Sequence, residues 1–241
     1  MRVFLLTGAG VSAESGLGTF RDAGGIWARF DPMKLATPEA FAADPVRVQD
    51  FYNMRRRNLV AARPNAAHAA LARLEAGLAA QGGDLFLCTQ NIDDLHEQAG
   101  SRAVHHMHGE LLKARCGRCG RHEDCRGDLS VETVCAGCGR AGAMRPDVVW
   151  FGEMPYGLER IADRLAAADL FVSIGTSGAV YPAAGYVAEA RALGLTTVEL
   201  NLEPSDNAHA FDDARYGPAT EVVPTFVEDL LGDRAGGGQT A

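Results

Sequence analysis

Four cysteines carry the sharpest chemical signal in this chain: Cys116-x-x-Cys119, fifteen intervening residues, then Cys135-x-x-Cys138. Each pair can turn through a knuckle, and four soft thiolates close a tetrahedron around zinc. A closed shell leaves no open coordination position. The spacing therefore predicts one structural Zn2+ held by Cys116, Cys119, Cys135 and Cys138. Disulfides are the competing reading. The opening strand-like run Arg2 to Thr7 lacks the long apolar core of a signal peptide, so a reducing, cytoplasmic setting is expected. Cys88, inside an apolar run, reads as a packed core thiol, and Cys125 as a neighbour of the zinc loop.

Three other groups are placed to do chemistry. Gly8-Ala9-Gly10 follows an apolar run and begins like a dinucleotide fingerprint, with Ala13 at the third glycine position. Glycines there let backbone N–H groups approach a pyrophosphate at a helix N-terminus, although an ordinary strand-to-helix turn has the same look. Gln90-Asn91-Ile92-Asp93 directly follows another apolar run, so its polar side chains should emerge at the carboxyl edge of a sheet; a turn or helix cap is the alternative. His105, His106 and His108 crowd before Gly109. One of them could act as a general base near neutral pH, or all three could be structural.

The elements that must position these groups follow from apolar patterning. Val3–Thr7, Leu85–Thr89, Leu170–Gly175 and Thr196–Leu200 are short apolar runs, as expected of parallel strands buried on both faces. Asn65–Ala80, Gly157–Ala168 and Ala183–Leu193 have helical spacing. This alternation predicts an α/β fold, a Rossmann-like doubly wound parallel sheet. Residues 21–63 read as loop and helices, with Asp44-Pro45 as a helix start and Phe51, Met54 and Leu59 facing inward. Residues 112–145 are Cys/Gly-rich without helical period. The reading is a single domain, 1–231, whose large part spans about 1–20, 64–111 and 146–231. A small helical and zinc-binding lobe is inserted at about 21–63 and 112–145, and 232–241 is expected to be a disordered tail.

The 241 residues are 47% hydrophobic and 22% charged, an ordinary globular composition. The formal charge of -8 opposes stable nucleic-acid binding, and no apolar run is long enough for a membrane span. Without a heptad or an exposed apolar stripe, a monomer is expected.

Taken together in order, the motifs resemble the sirtuins along nearly the whole chain. They are Gly8-Ala9-Gly10-x-Ser12-x-x-Ser15-Gly16 with Phe20-Arg21, Gln90-Asn91-Ile92-Asp93, His108-Gly109, the four cysteines, Arg145-Pro146-x-Val148-Val149-x-Phe151-Gly152-Glu153, Gly175-Thr176-Ser177 and Asn201-Leu202-Glu203. Gly18 departs from the pattern, since many members carry Pro there; this would loosen the cofactor loop without removing a reacting group.

The resemblance implies that NAD, consumed as co-substrate, meets an acyl-lysine protein or peptide in a cleft between the lobes. Gly8 to Trp27 would wrap the cofactor, with Gly8, Ala9, Gly10, Ser12, Ser15, Phe20, Arg21 and Trp27 in contact. Gln90, Asn91, Ile92 and Asp93 would line the nicotinamide and ribose pocket. Gly175, Thr176 and Ser177 with Asn201, Leu202 and Glu203 would hold the phosphate and adenosine ends, and Ala219 would lie near the adenine. His108 would be the base on a ribose hydroxyl, with free lysine, nicotinamide and O-acyl-ADP-ribose as products. The peptide would pair as an added strand near Val149–Glu153 and Gly178–Tyr181.

Tyr52 and Arg55 are three apart in the expected helix, share one face, and together offer a hydroxyl and a guanidinium to a carboxylate. They resemble the Tyr-x-x-Arg pair of the class III, desuccinylase and demalonylase-like bacterial branch. The implied function is NAD-dependent removal of succinyl, malonyl or glutaryl groups, and of acetyl, from lysine. The alternatives are mono-ADP-ribosyl transfer in the same cleft and a noncatalytic zinc-ribbon module. A dehydrogenase would fit the glycine turn alone.

Overall fold

The computed structural model describes residues 1–18 and 31–235. Its strands are β1 (Arg2–Thr7), β2 (Asp84–Thr89), β3 (Val104–His106), β4 (Gly109–Cys116), β5 (His122–Asp124), β6 (Met144–Val148), β7 (Leu170–Ile174), β8 (Thr196–Asn201) and β9 (Asp213–Tyr216). Its helices are α1 (Gly10–Ala13), α2 (Pro38–Ala43), α3 (Pro45–Ala61), α4 (Ala66–Ala80), α5 (Leu95–Gln98), α6 (Leu158–Ala166), α7 (Tyr186–Ala192) and α8 (Ala219–Ala235).

Six strands form one sheet in the order β3-β2-β1-β7-β8-β9, every pair parallel. Period-two alternation divides the apolar runs between its faces. Leu5, Leu87, Val172 and Val198 face α4 and α8, and Phe4, Phe86 and Phe171 face α6 and α7. On α4, Leu71, Leu74 and Leu78 form one fully buried stripe, each contributing roughly 2 kcal/mol of apolar burial. The strand order reverses between β1 and β7, so the crevice for a ligand lies outside their carboxyl ends.

Helix boundaries follow the caps written in the sequence. Asp44 accepts the Arg47 N–H at 3.0 Å with Pro45 in the first turn, as expected for the start of α3. Asn65 and His68 make a reciprocal capping box at the start of α4. The helix expected after Gly8-Ala9-Gly10 is only the four-residue α1.

The smaller lobe joins α2 and α3 to an antiparallel sheet ordered β5-β4-β6. That sheet crosses the expected lobe boundaries at 112 and 146, because β4 begins at Gly109 and β6 runs to Val148. Val48, Phe51, Tyr52 and Leu59 of α3 pack with Leu111, Leu112, Val148 and Trp150 in a core of their own. Strands β3 and β9 are short additions at the sheet edges that apolar patterning did not reveal. The last helix continues through Gly232 to Ala235, past the expected start of the tail. Leu230 and Leu231 pack on the core, and a Cβ on Gly77 of α4 would lie 2.8 Å from Leu231, so the two helices touch where they end. Residues 236–241 lie outside the described residues.

Gly109 has φ +80°, and a Cβ there would lie 2.1 Å from the Asp147 carbonyl oxygen. Gly109→Ala should therefore destabilise the fold by about 3 kcal/mol, read as a lower midpoint in urea unfolding; an unchanged midpoint would contradict this packing.

Candidate active site

The floor of the crevice is built where three strands end. Gly8 N–H donates to the Ile174 carbonyl at 2.9 Å, and Gly10 N–H to the Gly175 carbonyl at 2.9 Å. A Cβ on Gly8 would fall 2.7 Å from the Gly175 oxygen, and one on Gly10 2.7 Å from the Gly175 Cα. Gly175 itself has φ +62°, and a Cβ there would fall 2.6 Å from the Val11 nitrogen. The glycines thus hold backbone against backbone, leaving an open floor.

The end of β2 supplies the polar wall. Asn91 Nδ2 donates to the Gly8 carbonyl at 3.0 Å and to Ser12 Oγ at 3.2 Å. Ser12 Oγ donates to Asp93 Oδ2 at 3.1 Å, and the Leu95 N–H reaches Asp93 Oδ1 at 3.2 Å. Burial raises the Asp93 carboxyl above the ordinary carboxylate range, opposed by these hydrogen bonds. Below lie two histidines unrecognised by sequence reasoning. His68 Nε2 is 3.4 Å from Ser12 Oγ, and His96 Nε2 is 3.1 Å from Thr7 Oγ1. Burial pulls His68 down to about 4, so it stays neutral. The only sequence signal was His68 three residues after the helix-capping Asn65.

The histidine cluster separates into three roles. His105 Nε2 bonds the Tyr156 carbonyl at 2.9 Å. His106 has an acceptor on each ring nitrogen, Asn91 O at 3.3 Å and Glu97 Oε1 at 2.7 Å. Burial would lower its pKa, but hydrogen bonding and charge from Glu97 raise it instead. His108 is half-buried and lines the cleft, with Nδ1 3.1 Å from the Gln90 carbonyl oxygen. A carbonyl can only accept, so Nδ1 carries the proton and Nε2 is left as a bare base. Burial lowers the His108 pKa below its ordinary 6.5, with the Gln90 hydrogen bond opposing.

The cleft encloses about 940 Å³, at the upper end of the roughly 300–1,000 Å³ of small-molecule sites. It brings together Gly8, Ala9, Gly10, Ser12, Gln90, Asn91, Ile92, Asp93, His108, Gly175, Thr176, Ser177, Asn201, Leu202, Glu203 and Ala219, with Tyr52 and Arg55 at the small-lobe wall. Ser15 does not line it; its Oγ accepts from Asn65 Nδ2 at 3.0 Å and ties the first turn to α4. Phe20, Arg21 and Trp27 lie outside the described residues. At the wall, burial pushes the Tyr52 phenol up to about 12 and lowers the Arg55 guanidinium below its ordinary value.

The four cysteines meet at the ends of two knuckles, all four sulfurs within 4.8 Å of one another. The Cys116–Cys138 and Cys119–Cys135 separations, 3.9 and 3.6 Å, bracket the roughly 3.8 Å edge of a tetrahedron with Zn–S bonds of about 2.3 Å. They are far beyond a disulfide bond. The donor set fits a structural zinc. Cys88 is a buried core thiol as expected, and Cys125 packs with Cys116 and Cys135.

The arrangement defines a doubly wound dinucleotide-binding fold with a bare histidine base in its crevice and a four-thiolate lobe beside it. The Sir2 family model matches residues 8–182, and the chain belongs to the Sir2 family. It is 65% identical to an NAD-dependent protein deacylase of Caulobacter vibrioides over 231 residues, covering 96% of this chain and 97% of that protein. A Sir2 homologue–NAD complex superposes with TM-score 0.86 at 38% identity, covering 97% of this chain and 90% of the other. A Sir2 protein bound to acetylated peptide superposes with TM-score 0.78 at 26% identity, covering 95% and 93%.

Two outcomes test this geometry. Cys135→Ser should reduce bound zinc from one per chain to near zero in metal analysis and lower Tm by roughly 10 °C or more; a variant that keeps its zinc would sink the assignment. Because burial disfavours the His108 imidazolium, the base form persists on acidification. The acid limb of kcat/KM should accordingly lie below pH 6.5. A limb above that value would place the essential base elsewhere.

Proposed function

We infer that the protein is an NAD-dependent protein-lysine deacylase that accepts acidic acyl groups as well as acetyl. One observation carries the reading: His108 presents an unprotonated Nε2 to the cleft floored by Gly8, Gly10 and Gly175 and walled by Asn91 and Asp93. The Caulobacter relative named a deacylase and the NAD-bound homologue support it. NAD supplies the electrophilic ribose carbon that takes the acyl oxygen as nicotinamide leaves. The chain's part is positioning and proton handling. The glycine floor admits the phosphates without side-chain obstruction, and the buried amide of Asn91 and carboxyl of Asp93 fix the polar wall of the ribose end. His108 Nε2 takes the proton of a ribose hydroxyl as that hydroxyl turns on the acyl carbon.

An acyl-lysine peptide fits as an added strand between Val149–Glu153 and Gly178–Tyr181, where Phe151 and Tyr181 are exposed. The solved relative with an acetylated peptide supports this occupant. Tyr52 and Arg55 line the same cleft from α3, within reach of an acyl chain's far end. A hydroxyl and a guanidinium together favour a terminal carboxylate, hence succinyl, malonyl or glutaryl. Six cysteines with no disulfide among them suit the cytoplasm.

Matched acetyl-lysine and succinyl-lysine peptides, incubated with and without NAD and followed by mass spectrometry, test the reading. Both acyl groups should be lost only with NAD, with release of nicotinamide. His108→Ala should lower turnover on both by about 10²–10⁴-fold. Arg55→Met should reduce the succinyl-to-acetyl ratio of kcat/KM by about tenfold or more. Nicotinamide release without acyl loss would favour ADP-ribosyl transfer; equal losses on the two peptides for Arg55→Met would remove the acidic pocket.

A further inference from the structure

Besides the edge at Val149–Glu153 proposed for the peptide, the segment from Arg145 to Glu153 holds a tightly tied polar cluster next to Tyr52. Trp150 and Tyr52 are almost wholly buried, at 2% and 1% exposure, and both line the cleft. The Trp150 indole Nε1–H donates to the Tyr52 hydroxyl oxygen at 2.9 Å. The direction of this bond follows from chemistry. An indole nitrogen can only donate, whereas a phenol oxygen accepts and has one hydrogen of its own to give. Trp150 therefore occupies an acceptor position on Tyr52, and among the described residues no acceptor takes the Tyr52 hydrogen. Burial holds the phenol protonated, with its pKa pushed up to about 12, so that hydrogen is present at neutral pH.

The indole is itself held on several sides. The Arg145 guanidinium carbon lies 3.2 Å from the Trp150 ring centroid. Arg145 is bidentate on Glu153 at 2.7 and 2.9 Å and also donates to the Val148 carbonyl at 2.7 Å. Glu153 Oε2 accepts the backbone N–H of Trp150 at 2.8 Å, and Arg115 reaches Glu153 Oε1 at 2.6 Å. The Phe41 ring lies 5.3 Å from the indole. An indole tied in this way cannot swing its N–H away from Tyr52 without giving up the stacked Arg145 guanidinium and the packed Phe41 ring.

We propose that Trp150, clamped by the Arg145–Glu153 pair, is a positioning residue for acyl specificity: its N–H occupies the Tyr52 oxygen and so directs the Tyr52 O–H toward the carboxylate of an acidic acyl group. Trp150 touches no reacting atom in this role and acts only through Tyr52. The role rests on the acidic-acyl reading of Tyr52 and Arg55. The bland alternative is that Trp150 merely fills the small-lobe core with Val148 and Leu111.

Steady-state kinetics on succinyl and acetyl peptides separates these roles through a double-mutant cycle of Tyr52→Phe, Trp150→Phe and the double variant. Trp150→Phe keeps an aromatic ring and removes the N–H. It should lower the succinyl-to-acetyl ratio of kcat/KM about fivefold, through KM for succinyl rather than kcat. In the Tyr52→Phe background the same change should have no further effect on the ratio, because the group it acts through is gone. Glu153→Gln, which loosens the clamp and keeps the indole, should lower the ratio in the same direction and covers the case in which Trp150→Phe does not fold. Equal losses on both peptides, or effects of Tyr52 and Trp150 that multiply, would overturn the proposal and leave Trp150 a packing residue. If Tyr52→Phe alone leaves the ratio unchanged, the acidic-acyl reading falls and this role falls with it.

Discussion

At the carboxyl ends of β1 and β7 the chain packs main chain on main chain. Gly8, Gly10 and Gly175 approach so closely that a Cβ on any of them would collide with the opposite backbone. This contact sits where the strand order reverses, so the two halves of the sheet diverge above it and leave the crevice. Side chains here would both part the strands and fill the floor. The absence of side chains is what makes the sheet edge a binding surface, and the polar walls take their places relative to it.

Those walls put polar groups in a buried place, where an unsatisfied group costs about 1–3 kcal/mol. The chain meets this with a continuous ladder from Asn91 through Ser12 to Asp93, with His68 and His96 beneath. Burial disfavours the charged form of both lower histidines, so they serve the ladder as neutral rings. His106 differs, since hydrogen bonding and charge from Glu97 raise its pKa while its other nitrogen bonds the Asn91 carbonyl. The same loop thus carries Asn91 as a wall of the site and the Gln90 carbonyl that sets the tautomer of His108.

The smaller lobe closes the cleft from the other side, and its metal site lies at the far end of the strands that do so. Strand β4 runs from Gly109, next to His108, to Cys116, the first zinc ligand; β6 runs back from Met144 toward Trp150. Zinc at the knuckles would therefore stabilise the sheet that leads Val148, Trp150 and Glu153 to the cleft. The metal has no open position for chemistry, and its effect on activity passes through the order of this sheet.

Much of this was legible before the fold. Short continuous apolar runs located the four central strands, Asp44-Pro45 marked the start of α3, and the spacing of four cysteines announced the zinc site. Each of these signals is local, fixed by a few neighbouring side chains. The order of the motifs pointed to the family because their spacing along the chain is itself information. Other features depended on long-range contact. Strands β3 and β9 exist because a sheet edge stands ready to pair them, not through patterning of their own. The continuation of α8 past Gly232 rests on Leu231 meeting Gly77, about 150 residues away in the chain. The hydrogen bond that Ser15, a motif residue, accepts from Asn65 fifty residues away is likewise visible only in the fold. The amino-acid sequence determined which groups were available and which segments would be strand or helix. Only the tertiary structure decided which nitrogen of His108 keeps its proton and that the Tyr52 hydroxyl accepts from Trp150, because both depend on single partners brought from separate segments of the chain to within 3.1 Å.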